Sequence, residues 1–138
     1  MTKRIHVAVG VIVSPGGKIL LALRPEHAHL GGLWEFPGGK VEEGEAVDIA
    51  LARELQEELA ITVTACEPLV EIKHDYPDRA VLLDVWLVSA FTGEPCGNEN
   101  QEIRWVAPAA LMEYQFPAAN VPIVMAVLAK FAAPAVGN

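Results

Sequence analysis

Glu54, Glu57 and Glu58 fall three and four positions apart in a stretch, Gly38 to Glu58, that carries seven acidic residues. Each residue of a helix advances about 100° around the axis, so in a helix over residues 45 to 59 these three share one edge, beside an apolar stripe of Leu51, Ala52, Leu55 and Leu59. Such a segment must pack one edge on a core and leave the next one anionic. Like charges at these spacings destabilise a helix by about 0.2–0.5 kcal/mol per pair, a cost that a bound cation offsets. An oxygen-only donor set selects magnesium, calcium or manganese over zinc or copper.

The chain has 138 residues, 52% hydrophobic and 20% charged. That composition fits one globular domain, 1–138, able to bury a sizeable core, and excludes disorder and an extended coiled coil. A net charge of −8 with no local basic patch argues against stable nucleic-acid binding. A small anionic substrate remains compatible, provided metal ions neutralise its phosphates. Cys66 and Cys96 lack ligand-like spacing and read as reduced thiols of a cytoplasmic protein. Ile5 to Val13 contains His6 and precedes the Ser14-Pro15-Gly16-Gly17 turn, so it reads as a first strand and hairpin and not as a signal peptide. The apolar run Val121 to Val136 is short, holds Pro122, Lys130 and Pro134, and reads as a core-packed helix and not as a membrane span. No protein partner is evident.

Strand-like runs occupy 5–13 and 18–23, then 69–74 and 80–92 as a pair around Pro77-Asp78, with a short final strand at 103–106. Helical patterns cover 45–59, 108–112 and about 120–132. Strands and helices mixed along one short chain predict a sheet and helices sharing a single core.

Written as a pattern, the acidic segment reads Gly39, five residues, Glu45, seven residues, Arg53-Glu54-Leu55, one residue, Glu57-Glu58, one residue, Ala60-Ile61. This resembles the Nudix box, the metal-carrying loop-helix-loop of enzymes that hydrolyse a nucleoside diphosphate linked to another moiety. One position departs: Ala60 replaces the family's glycine, at a cost of about 1 kcal/mol if the residue closes the helix with positive φ. Outside the box, Ala8-Val9-Gly10-Val11-Ile12, Trp34-Glu35-Phe36-Pro37-Gly38-Gly39-Lys40, Tyr76-Pro77-Asp78-Arg79, Gly93-Glu94-Pro95, Glu99 and Phe116-Pro117-Ala118-Ala119-Asn120 resemble the MutT subgroup, which clears oxidised guanine nucleotides. The resemblance covers nearly the whole chain.

The resemblance implies an α/β (α+β) fold, the Nudix α/β/α sandwich with a central mixed sheet. It implies a mutation-avoiding nucleotide-pool enzyme that hydrolyses 8-oxo-dGTP to the monophosphate and pyrophosphate with Mg2+, for which Mn2+ would substitute. Rival readings are the same chemistry on CTP, dCTP or ADP-ribose, and a non-catalytic domain that only binds a nucleotide or a protein.

Phosphoanhydride hydrolysis needs charge neutralisation at the phosphoryl group, a positioned water and a proton acceptor. The resemblance assigns metal ligation to Glu54, Glu57, Glu58, the Gly38 backbone carbonyl and Glu99, with Glu102 as the competitor of Glu99; proton abstraction falls to Glu54 or Glu99. Arg53 can pair with Glu57 at i,i+4 in an orienting role. Glu45 either complements the helix dipole or, as the resemblance implies, holds the loop. Asn120 matches the position that reads the base. Oxidation at C8 turns guanine N7 from acceptor to donor, so one amide can accept from N7–H and donate to O6, whereas ordinary guanine presents two acceptors on that edge. Asn120 could equally cap the last helix. Arg24, Phe36 and Arg79 also match positions near the nucleotide, while His27 and His29 read as surface residues.

Overall fold

The computed structural model describes residues 4–28 and 30–131. Strand β1 (Ile5–Ile12) is the organising element. Its alternating side chains feed two cores: Val9 and Val11 join one, Ala8 and Ile12 the other. A strand buried on both faces needs cover on both, and the two α-helices supply it.

After β1 come β2 (Ile19–Leu23), β3 (Trp34–Glu35), β4 (Gly38–Lys40), helix α1 (Val47–Leu59), β5 (Thr62–Tyr76), β6 (Arg79–Thr92) and β7 (Ile103–Val106). Two 3₁₀ turns, Pro108–Glu113 and Ala118–Asn120, then lead into helix α2 (Val121–Phe131). A four-stranded sheet runs β4-β1-β6-β5, with β1 and β6 parallel from Ile5 opposite Val81 to Ile12 opposite Val88. The other pairs in it are antiparallel. A second, antiparallel sheet runs β3-β2-β7. Helix α1 buries Ala50, Leu51, Leu55 and Leu59 against Ala8, Ile12 and Val88. Helix α2 buries Ile123, Val124 and Val127 in the core that holds Val9, Val11 and Val85. The layers are helix, mixed sheet, helix, as expected of the sandwich. Gly10 permits the close approach of α1, since a side chain there would meet Leu55 and Leu51 at 3.3 and 3.4 Å.

Three expectations need correction, and two short strands had no counterpart in the sequence pattern. The single core is two clusters, one on each face of the sheet layer. The first hairpin shrinks to one bridge, Val13 to Ile19, after which β2 enters the second sheet. Both edges of β1 are already taken, by β4 and β6, so none is left for β2. Strand β5 starts at Thr62, seven residues earlier than expected, and continues through Pro68 with register shifts on either side of Ala65 and between Pro68 and Val70; it is an edge strand, where a missing donor and bulges are tolerated. The short strands β3 and β4 lie in the Pro- and Gly-rich Trp34–Lys40 segment, which carries no strand pattern of its own.

Helix α1 starts two residues later than its pattern, at Val47, and Ala46 offers no side-chain cap. Its end is as the alanine substitution implied: Ala60 adopts φ 60°, ψ 34°, and its N–H donates to Gln56 O at 3.0 Å. The last helix falls at Val121–Phe131, and the remainder of the C-terminal apolar run lies outside the described residues. No helix among the described residues is long and apolar enough to cross a membrane.

Candidate active site

Arg53 is the hub of the acidic edge. Its Nε and Nη2 donate to the two carboxylate oxygens of Glu45 at 2.9 and 3.0 Å, and its Nη1 donates to Glu54 at 3.0 Å. A further bond, to the Lys40 carbonyl at 3.2 Å, ties the helix to the end of β4. Glu57, the partner expected from i,i+4 spacing, is reached at 3.6 Å and is secondary. Glu45 lies before α1 and not in its first turn; it also accepts from the Glu42 N–H at 2.9 Å, which makes it the clasp of the preceding loop. Hydrogen bonds from Arg53 and then from the Glu42 backbone hold its carboxyl down to about 2.

The glycines of β4 make room for the carboxylates. A Cβ on Gly39 would strike the Glu54 carboxylate, and one on Gly38 would strike the Ala8 carbonyl across the strand pair. Glu54 therefore lies against bare backbone, with only 16% of its side chain exposed, whereas Glu57 is 55% exposed. Glu58 is half-buried, and its carboxyl is pushed up to about 9, first by burial, then by the charges of Glu54 and Glu35, a hydrogen bond with Glu54, and the charge of Glu99.

Glu99 reaches this neighbourhood because its loop is fastened to the end of α1. Asn98 Nδ2 donates to Glu57 O at 2.9 Å, Asn98 N–H to Glu58 O at 3.0 Å, and Gln101 Nε2 to Glu58 O at 3.1 Å. These donors satisfy carbonyls that the helix terminus leaves without intrahelical partners. Asn100 takes φ 64° within the loop, a conformation asparagine tolerates better than most residues. The competing candidate, Glu102, is instead paired with Arg104 at 2.6 Å.

The charges of Glu54, Glu35 and Glu99 all act on Glu58, and carboxylate oxygens are the donor type that hard divalent cations take. Among the described residues no group of three or more His, Cys, Asp or Glu side chains is placed so as to hold a metal ion. Arg53 holds Glu54, and the exposed Glu57 is the side chain with freedom to turn inward.

Arg24, Phe36, Arg79 and Asn120 all line one cavity of about 210 Å³, which Gly38 also lines, so the cavity abuts the strand that backs the acidic edge. Phe36 is buried and stacks on Phe116 with centroids 5.5 Å apart. Arg24 pairs with Glu35 at 2.6 Å. Burial raises the Glu35 carboxyl, against the opposing effect of Arg24. Arg79 stands at the head of β6, 3.4 Å from Asp78. The Asn120 N–H donates to Pro117 O at 2.9 Å, and no side-chain hydrogen bond of Asn120 is found among the described residues. His27 is exposed, and His29 lies outside the described residues. Cys66 and Cys96 are unpaired.

Among the cavity residues not singled out from sequence are Glu35 and Tyr76. They sit in the quoted segments Trp34–Lys40 and Tyr76–Arg79, but nothing local marks either as facing the cavity. The only signal was a carboxylate set between two aromatic residues, Trp34 and Phe36.

A family model described as "NUDIX domain" matches residues 8–126. An 8-oxo-dGTP diphosphatase of Escherichia coli is 38% identical over 122 residues, 88% of this chain and 95% of that protein. A CTP pyrophosphohydrolase of the same species is 39% identical over 125 residues, 91% of this chain and 93% of that protein. A solved structure of MutT, described for Aliivibrio salmonicida and Vibrio cholerae, is 45% identical with a TM-score of 0.83, covering 94% of this chain and 100% of that one.

Proposed function

The chain belongs to the NUDIX domain family, and from that membership we propose a pyrophosphohydrolase of nucleoside triphosphates whose preferred substrate is 8-oxo-dGTP. It would act in the cytoplasm on the free nucleotide pool, as one catalytic unit spanning residues 1–138. The observation that carries the substrate choice is the Asn120 amide, without a partner among the described residues and lining the same cavity as Phe36, Arg24 and Arg79. Its oxygen would accept from N7–H of the oxidised base and its nitrogen would donate to O6. Ordinary guanine would set an N7 lone pair against the amide oxygen, a buried mismatch that costs about 1–3 kcal/mol.

The Gly38 carbonyl, Glu54, Glu57, Glu58 and Glu99 would hold Mg2+, or Mn2+ in its place. The cation supplies neutralisation of charge on the triphosphate when bound. Glu54 or Glu99 takes a proton from water, the water oxygen bonds to the β-phosphorus, and the bond from that phosphorus to the oxygen bridging to the α-phosphorus breaks. Nucleoside monophosphate leaves, and the water oxygen ends in pyrophosphate. Arg53, clasped to Glu45, holds the Glu54 carboxylate in place, while Arg24 and Arg79 offer positive charge to the phosphates or the base edge.

Hydrolysis of CTP is the second reading, favoured by a CTP pyrophosphohydrolase as similar in identity as the 8-oxo-dGTP diphosphatase. A magnesium-supported assay at subsaturating 8-oxo-dGTP, dGTP, dCTP, CTP and ADP-ribose, with products resolved by chromatography, separates the two. Highest kcat/KM on 8-oxo-dGTP with pyrophosphate released supports the first reading; highest kcat/KM on CTP replaces it.

A further inference from the structure

Asn120 closes a three-residue 3₁₀ turn, Ala118–Asn120, whose own hydrogen bonds stay internal: Asn120 N–H to Pro117 O and Val121 N–H to Ala118 O. The Ala119 N–H is the exception. It donates to the phenolic oxygen of Tyr76 at 3.0 Å, and among the described residues this is the one hydrogen bond that fastens the turn to the rest of the molecule. Ala119 is 1% exposed, so its N–H has no access to water as an alternative partner. Tyr76 is itself fixed at the end of β5, opposite Arg79 in register, with its ring set edge-on to His74 at 4.5 Å. Tyr76, Arg79, Ala119 and Asn120 all line the same cavity.

From this geometry we infer that Tyr76 is a positioning residue for base selection, its hydroxyl fixing the turn so that the Asn120 amide presents oxygen and nitrogen in register with the base edge. Phenylalanine at this position would fill the same space and leave the Ala119 N–H buried and unpaired. The turn would then relieve that strain by shifting, and Asn120, the next residue, would shift with it. Two hydrogen bonds from one amide to one base edge tolerate little displacement, because both must keep their length and angle at once. The hydroxyl's effect therefore falls on discrimination between bases and not on phosphoryl chemistry. The inference rests on the assignment of Asn120 to the oxidised base.

The experiment compares kcat/KM for 8-oxo-dGTP and dGTP in the wild type, Tyr76→Phe, Asn120→Ala and the double variant, with melting temperature as a check on folding. Tyr76→Phe is expected to lower the ratio of the two kcat/KM values about tenfold, through KM for the oxidised substrate, and to have no further effect on that ratio once Asn120 is alanine. If Asn120→Ala leaves the ratio intact, the base assignment fails and this inference falls with it. If Asn120→Ala collapses the ratio but Tyr76→Phe preserves it, or lowers it equally in both backgrounds, the base assignment stands and the positioning role is overturned. Should Tyr76→Phe fold poorly, the amide proton of Ala119 in the wild type decides: exchange as slow as that of buried strand amides supports the tie, and rapid exchange removes it.

Discussion

Arg53 grips Glu45 across eight positions of sequence with two parallel hydrogen bonds, 2.9 and 3.0 Å long, and the same guanidinium holds Glu54 at 3.0 Å. A loop residue and a helix residue are thereby held relative to each other by one planar group. Lysine cannot reproduce that geometry, because its ammonium is a single point of donation.

Arg53→Lys should therefore retain the fold and lose turnover. The expected result is a fall in kcat of roughly tenfold to a hundredfold with KM little changed, since misplacing a catalytic carboxylate by about 1 Å costs of that order. Steady-state kinetics beside a circular-dichroism melt checks it, and an unchanged kcat removes Arg53 from the orienting role.

Gly39→Ala should have a similar effect by a different route. The added methyl would occupy the space of the Glu54 carboxylate, so Glu54 must swing away from β4. A half-saturating magnesium concentration raised by about tenfold or more is expected in a titration of rate against metal. A variant with wild-type metal dependence would show that Glu54 need not lie where it does.

Metal binding should release a proton at neutral pH. The Glu58 carboxyl is raised to about 9 in the metal-free protein, so it is protonated at pH 7, and a cation requires the carboxylate. Affinity for magnesium should rise about tenfold per pH unit toward that value and level off above it. The same displacement has an opposite consequence for the metal-free protein. Its folded state holds a proton that the unfolded chain has already lost above its ordinary value of 4.5, so stability falls as pH rises from there to about 9. Glu58→Gln should abolish that decline and stabilise the metal-free protein at pH 7 by about 1–3 kcal/mol. Calorimetric titration in buffers of different ionisation enthalpy measures the proton directly; none released at pH 7 would refute the account.

Ala60→Gly should stabilise the protein by about 0.5–1 kcal/mol without altering kinetics, because Ala60 holds a left-handed conformation at φ 60°, ψ 34° that glycine adopts freely. Urea midpoints at constant m-value report the change. A loss of stability would mean that the methyl group contributes more than the backbone strain costs.

The acidic helix was legible because its pattern is local: an apolar stripe and a charged edge repeat at 3.6 residues over four turns of sequence. Ala60 was legible for the same reason, as one residue whose backbone requirement follows from where the helix stops. The clasp between Arg53 and Glu45 was not, because the rule applied to Arg53 counted along a helix, and Glu45 stands outside it. Strand β5 was hidden by Pro68, a strand breaker that an edge position tolerates and a central one does not. Tyr76 and Glu35 could not be assigned to the cavity because their orientation follows from the pairing of strands far apart in sequence, and nothing in the neighbouring residues encodes it.

The two cores on opposite faces of the sheet divide the molecule's labour. Helix α1 with its carboxylates is seated in the cluster of Ala8, Ile12 and Leu55, whereas Phe36, Ala119 and Val81, which line the cavity, belong to the other. Substitutions can accumulate in the second cluster, reshaping what the cavity admits, while the seat of α1 stays untouched. A scaffold divided in this way lets the lining of the cavity change while the packing that seats the acidic edge is kept.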